Sequence, residues 1–403
     1  MELFWLEHKK LWRKKIVKIC VVLCFVYYVI FGSILLFQWF GFGSSDDYTS
    51  AFGNNFDGYT VIKDSQEYAL SFGGELTDET LQQIVSDYQQ MEADGMEEEL
   101  EKTDWQIVNS WLGTLYPELR DTSNYKTMIS YVDPDKLTGF YERRQQVLDE
   151  FLEVSGQVGA EKEFLHQIER KVEKPFRYEW VEGWSTLLGS MVADLGVVMA
   201  LFLGIVLSSL FAGEWHDNTS TLVLTTRNGW GKIALAKILT GLAFTVELFA
   251  LLAVSSVISQ LFFMGTAGWD MPIQNIKLIA VAPMNMLQAE IYEYAFVLLG
   301  AIGFAGIVMF ISAAVKNNVL TLLLSLAVVY GPMMIAEYLP YEMQKALDLI
   351  PLVGSSTDIF RTNTFRIFGK LIWSPYLLIT IPVLIGILCM PFAIKSWSRR
   401  MKA

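Results

Sequence analysis

Six apolar runs, each long enough to cross a lipid bilayer as a helix, constrain this chain more than any other feature. The runs cover residues 16–40, 187–211, 233–264, 292–315, 319–335 and 375–394. A helix rises about 1.5 Å per residue, so about 20 apolar residues span the hydrocarbon core. Because a backbone in lipid must satisfy its own hydrogen bonds, such runs fold as helices. The sequence therefore predicts an all-α polytopic membrane protein with six transmembrane helices.

Basic residues at the ends of these runs predict their orientation. Lys and Arg are concentrated in residues 1–15, ahead of the first run, and in residues 395–402, after the last run. Cytoplasmic ends of membrane helices carry such an excess, so both termini are expected inside the cell. Residues 1–15 also combine an aromatic face with a cationic face, which predicts a cytoplasmic interfacial helix lying on anionic lipid.

The segment between the first two runs, 41–182, differs from the rest in charge and in hydrophobic pattern. It holds 30 Asp and Glu against 12 Lys and Arg. Apolar residues recur there at helical spacing, as in Leu81, Ile84, Val85 and Tyr88. We predict an acidic, mainly helical extracellular domain between helices 1 and 2, after a first transmembrane helix at 16–40. Residues 183–403 then carry helices 2–6 and, at 337–374, an outer re-entrant-like segment.

Residue types that carry catalytic or metal chemistry are scarce. The three cysteines lie in apolar runs, and the three histidines are scattered, so neither a disulfide framework nor a metal triad is indicated. A GxxxxGK[ST] phosphate loop is absent, and basic residues form no nucleic-acid footprint. The sequence therefore predicts a protein that is not an enzyme and binds no metal, cofactor or nucleic acid.

The longest polar segment between two apolar runs on the predicted inner side is the loop 212–232. Its polar and apolar residues follow a fixed order. That order comprises Glu214, Thr219, Leu222, Leu224, Arg227 and then Lys237 in the next helix. Asn218 and Ser220 offer helix-capping oxygens, and Asn228–Gly229 a turn, which together predict a short interfacial helix within the loop.

This loop resembles the first cytoplasmic loop of type-2 ATP-binding cassette (ABC) transporter permeases. The resemblance implies that the loop docks onto a separate ATPase subunit, present in two copies, which binds the ATP and Mg²⁺. It further implies an exporter in a bacterial plasma membrane, paired with a second permease copy or a related permease. The substrate would be an amphipathic peptide, an antibiotic or a lipid-like molecule. The plainer interpretation is that Glu214 and Arg227 only solvate a helix hairpin.

Two acidic residues fall inside apolar runs, Asp194 in the second and Glu247 in the third. Charged groups at this depth are costly and usually face protein or water. They are candidates for a translocation path, and interhelical hydrogen bonding or snorkelling is the alternative. Three glycines spaced by three, Gly300, Gly303 and Gly306, predict a strip where another helix approaches closely.

Two other classes of function stay open. In the first, the acidic domain binds a ligand and the helices signal inward without transport, as a sensor in an antibiotic response. In the second, Asp194 and Glu247 serve an ion-coupled carrier, which predicts dependence on a proton gradient instead of ATP. No internal repeat of the kind common in such carriers is visible in the sequence.

Overall fold

The structure is a computed structural model that describes residues 2–37, 62–63, 66–67, 69, 73–96, 105–121, 127–217, 219, 231–354, 360 and 362–399. The α-helices of these residues are, in chain order, α1 Glu2–Arg13, α2 Lys15–Phe37, α3 Asp78–Ala93, α4 Trp105–Leu115, α5 Phe140–Val154, α6 Ala160–Glu169, α7 Glu182–Thr186, α8 Val192–His216, α9 Gly231–Met264, α10 Met286–Val315, α11 Asn318–Ile335, α12 Tyr341–Leu347 and α13 Ser374–Arg399. Two antiparallel strand pairs accompany them, β1 Gly74–Glu75 with β2 Arg177–Tyr178 and β3 Thr364–Ile367 with β4 Lys370–Trp373. Within the described residues the fold is therefore mostly helical, and the all-α prediction missed these two short strand pairs.

Five of the helices are long and apolar enough to cross a membrane. They are Asp194–His216, Gly231–Met264, Met286–Val315, Asn318–Tyr338 and Ser374–Ser398. These match the second to sixth predicted runs, which confirms a helical membrane protein. At the position of the first predicted run lies α2, a helix of 23 residues. A π-helical stretch, Leu187–Met191, joins α7 to α8.

The helical bundle is built around α10, which packs on α8, α9, α11 and α13. Its closest neighbour is α13, because two of the predicted glycines meet backbone there. A Cβ atom added to Gly303 would lie 2.3 Å from the carbonyl oxygen of Pro382, and one on Gly306 2.4 Å from that of Gly386. Gly300 instead faces the Leu352 side chain. The predicted close helix approach is thus confirmed at Gly303 and Gly306.

The acidic region, described residues 73–182, has a hydrophobic core of its own. We call this region the acidic domain. The helical spacing of its apolar residues predicted α3, where Leu81, Ile84, Val85 and Tyr88 are all buried. The helix α4 was not predicted, although its Trp111 lies in this core against Phe140 and Tyr178. The β1–β2 pair brings the first and last parts of the domain together through Gly74 and Tyr178.

The acidic domain is hydrogen-bonded to the segment between α9 and α10, residues 265–285. Arg144 is fully buried and donates to the carbonyl oxygens of Leu278 (2.7 Å) and Ala280 (3.2 Å). Its Nη1 donates to the Glu169 carboxylate at 2.6 Å. The Trp111 indole N–H donates to the Asn275 carbonyl at 3.0 Å. The domain is therefore bound to the bundle at a second place besides its own chain ends.

The predicted re-entrant-like segment 337–374 contains the helix α12 and the β3–β4 hairpin in its described part. The hairpin also contacts the acidic domain. Thr364 donates to the Gln157 side chain at 2.8 Å, and Arg366 forms an ion pair with Glu161. Because β4 runs directly into α13, the hairpin lies where that helix leaves the bundle. We call this end of the bundle the domain end, and the opposite end, which carries the α8–α9 loop, the loop end.

Candidate functional site at the loop end of the bundle

The two helices that flank the α8–α9 loop are tied together by a buried ion pair. Glu214 lies in the last turn of α8, and Lys237 lies about two turns into α9. The Lys237 Nζ is 2.8 Å from the Glu214 Oε1, and the two side chains are 2% and 4% exposed. A buried charge is tolerated when a partner compensates it, so each residue requires the other.

The amphipathic helix α1 adds a second layer to this pair. Lys10 Nζ lies 2.5 Å from Glu214 Oε1, and Glu7 Oε2 lies 2.8 Å from Lys237 Nζ. Two acids and two lysines therefore alternate across three helices. We call these four residues, Glu7, Lys10, Glu214 and Lys237, the loop-end ion cluster.

Lys14, at the junction of α1 and α2, extends the polar contacts of the cluster. It donates to the Ser209 hydroxyl of α8 at 3.0 Å. Burial lowers the pKa of Lys14, and the positive charges of Lys237 and Lys10 lower it further. Burial alone would lower the pKa of Lys10 as well, but the hydrogen bond and charge of Glu214, with the charges of Glu7 and Asp217, together raise it. The two lysines thus differ in environment although one helical turn separates them.

The motif residues of the predicted docking loop fall into two groups. Thr219 caps the end of α8, where its backbone N–H donates to the Glu214 carbonyl at 3.0 Å and its hydroxyl to the Glu214 carboxylate. Glu214, Thr219 and Lys237 are thus brought together. Leu222, Leu224 and Arg227 lie outside the described residues, as does the predicted short helix of the loop. Glu214 is buried, so it does not act as a solvated surface residue.

Glu247 contacts the same amphipathic helix farther along α9. Its Oε1 lies 3.2 Å from His8 Nε2, and its Oε2 accepts from the Trp12 indole at 3.1 Å. The carboxylate is 43% exposed. Trp12 also packs edge-on against Phe244 of α9. Glu247 therefore holds α1 in place against α9.

Asp194 has different neighbours, on α2. Its Oδ1 accepts from the Tyr27 hydroxyl at 3.2 Å, and the next residue of α2, Tyr28, donates to the Met191 carbonyl at 2.6 Å. Asp194 and Glu247, predicted as candidates for one translocation path, thus belong to two separate sets of contacts.

Sequence reasoning missed the contribution of α1 and two buried acids of α10. Charge alone placed Lys10 on lipid and gave Glu7 no role, whereas their partners lie more than 200 positions away. Glu290 and Glu293 are 4% and 6% exposed, close to the hydrogen bond between Tyr294 and Ser256. They stand at the start of an apolar run, and their spacing of three was the available signal.

No protein-family model, curated protein or solved structure matches this chain. Within the described residues, no group of three or more His, Cys, Asp or Glu is arranged to hold a metal ion. The site must therefore be interpreted from its own geometry.

Proposed function

We propose that this chain is the membrane-spanning subunit of an ATP-driven exporter and receives force from a separate ATPase at the α8–α9 loop. The loop-end ion cluster is the observation that carries this proposal. It joins α1, α8 and α9 directly beside the loop, so a load applied to the loop reaches three helices at once. A loop that only connects two spans needs no such buried charge network.

Mechanically, the cluster makes the loop end a stiff unit. Buried, hydrogen-bonded ion pairs have fixed geometry, and removing one partner leaves a costly isolated charge. Closure of the ATPase around ATP and Mg²⁺ would push the loop 212–232, and the Glu214–Lys237 pair would pass that displacement to α8 and α9 together. Tilting of packed helices is a common route to a transport transition.

Two copies of the ATPase and a second permease copy, or a related permease, complete the proposed exporter in a bacterial plasma membrane. Both termini would then be cytoplasmic and the acidic domain extracellular. The substrate class is an amphipathic peptide, an antibiotic or a lipid-like molecule. This chain itself binds no ATP or metal in the proposal and catalyses no reaction.

A sensor is the second candidate, and one observation favours it. The acidic domain holds the 265–285 segment through Arg144 and Trp111, so a ligand on the domain has a direct connection to α9 and α10. The sensor predicts ligand binding without translocation. An ion-coupled carrier that uses Asp194 and Glu247 predicts transport that responds to a proton gradient and not to ATP.

The proposal is tested by purifying the tagged chain from its native membranes and assaying the eluate for ATPase. Arg227→Ala alters the loop alone and is expected to reduce ATPase recovery at unchanged thermal stability. Glu214→Ala with Arg227→Ala should reduce both recovery and stability. The matched control is Arg170→Ala, at a side chain 68% exposed on the acidic domain. Equal ATPase recovery from all four proteins, or its absence from the unaltered one, would refute the coupling role.

A further inference from the structure

Asp194 is the only acidic residue of α8 between its start and Glu214, and it lies far from the loop end. Fifteen positions separate it from Ser209, which marks the loop end through Lys14, and this corresponds to about 22 Å along a helix. Asp194 is the first residue of the candidate span Asp194–His216, so the carboxylate stands at the end of that span away from the loop.

No cation compensates this carboxylate within the described part of the chain. Tyr27 supplies the one hydrogen bond to Oδ1, and Oδ2 is buried without a described hydrogen-bond partner. None of the described lysines, arginines or histidines forms an ion pair with it. An ionisable side chain at this depth is costly and normally faces a partner.

Two neighbouring helices place tyrosines near the carboxylate. Tyr27 and Tyr28 belong to α2, and Tyr330 of α11 donates to the Val197 carbonyl of α8, three positions beyond Asp194, at 3.0 Å. Because α2 and α11 both pack on α8, residues 194–197 lie between them. Tyr27 is 44% exposed, so its contact with Asp194 lies at the surface of the bundle.

We propose that Asp194, Tyr27 and Tyr330 form a binding site, open to the membrane, for the cationic group of an amphiphilic molecule. The carboxylate supplies the opposite charge, and the tyrosine rings supply the cation–π attraction that favours bulky organic cations. An amphiphile dissolved in the bilayer reaches this surface without crossing water. The inference deepens the proposed function by naming a cationic substrate class, and it rests on that function for the outcome of binding.

The test uses two ions of the same shape and opposite charge, tetraphenylphosphonium and tetraphenylborate. The full chain is placed in phosphatidylcholine nanodiscs, and binding above empty discs is measured by equilibrium dialysis. We expect saturable binding of the phosphonium and none of the borate. Asp194→Asn should weaken phosphonium binding about tenfold or more, because the one negative charge of the site is lost in a medium of low dielectric constant.

Three further variants separate binding from folding. Asp194→Glu keeps the charge and should retain binding, whereas Tyr27→Leu removes a ring and should weaken it about tenfold. Asp270→Asn alters an exposed carboxylate outside the spans and should bind as the unaltered chain does. Similar binding of both ions, no saturable phosphonium binding, or full binding by Asp194→Asn would each overturn the site. An altered oligomeric state in Asp194→Asn without phosphonium binding would also overturn it, because Asp194 would then contact a second copy of the chain. The assay needs no ATPase, so its failure leaves the exporter proposal standing.

Discussion

Glu214 and Lys237 stand 23 positions apart in the chain, yet their charged atoms lie 2.8 Å apart in the interior of the protein. The pair closes the base of the α8–α9 loop. This one interaction therefore holds both ends of the loop. Lys10 and Glu7 of α1 add ion pairs to Glu214 and Lys237.

Replacing Glu214 with Gln should destabilise the protein strongly. Lys237 would keep only Glu7 as a charged partner, and breaking a buried ion pair costs about 3–5 kcal/mol. Thermal unfolding in detergent, followed by tryptophan fluorescence, would measure the loss. Asp217→Asn is the matched control, since that carboxylate is 64% exposed and should change stability by less than about 0.5 kcal/mol. Equal midpoints for the two variants would contradict the role of the cluster.

Replacing Arg144 with Lys should loosen the acidic domain from the bundle. A lysine carries the same charge, but its single ammonium group cannot reach two carbonyls and a carboxylate in the planar geometry of arginine. Hydrogen exchange should increase in residues 265–285, and stability should fall by about 2 kcal/mol or more as buried acceptors lose their donors. Arg170→Lys lies on the exposed side of the same domain. In that variant, hydrogen exchange of residues 265–285 should match that of the unaltered chain. Unchanged protection of residues 265–285 from hydrogen exchange in Arg144→Lys would contradict the role of Arg144 in binding this segment to the acidic domain.

Alanine at Gly303 should disrupt the contact between α10 and α13. The added Cβ would lie 2.3 Å from the Pro382 carbonyl oxygen, and backbone cannot move aside as a side chain can. Overpacking of this kind costs about 1–3 kcal/mol. Gly331→Ala is the control in α11, where nothing lies within 4 Å of the new atom, so stability should stay or rise. A Gly303→Ala protein as stable as the control would show that the helices are farther apart.

Acid should weaken the acidic domain through Glu169. Burial raises the pKa of this carboxyl, but hydrogen bonds from Lys174 and Arg144 outweigh it, so the pKa lies below its usual 4.5. The unfolded chain therefore binds more protons than the folded chain, and the stabilisation is lost as pH falls from the usual value through the folded pKa. Unfolding of Glu169→Gln and of the unaltered chain should differ at neutral pH and converge in acid. A constant difference at all pH values would contradict this assignment.

Orientation can be tested by cysteine labelling in intact cells. After the three native cysteines are replaced, Arg170→Cys should react with a membrane-impermeant maleimide, because the acidic domain is proposed to be extracellular. Asp217→Cys, equally exposed at the loop end, should react only after the cells are opened. The reverse pattern would place the α8–α9 loop outside and remove the basis for docking.

The sequence predicted what depends on local composition and periodicity. The length of the apolar runs predicted the five helices that are long enough to cross a membrane, and the helical spacing of apolar residues predicted α3. Contacts between distant residues could not be predicted in this way, so Lys10 was assigned to lipid and the ion pair of Glu7 was missed. For Glu247 the structure matches the alternative of interhelical hydrogen bonding, because its carboxylate accepts from Trp12 of α1. The hydrogen bond from Arg144 to Leu278 could not be predicted either, because the acceptors of Arg144 in this segment are backbone carbonyls, which carry no sequence signal. The role of Arg227 stays a prediction.

The close backbone contact between Gly303 and Pro382 constrains any movement of the bundle. Where two backbones touch without intervening side chains, there are no rotamers to rearrange, so we expect α10 and α13 to move together as one unit. In the proposed transport cycle the displacement would then fall between this unit and the helices α8 and α9, which carry Glu214, Lys237 and Asp194.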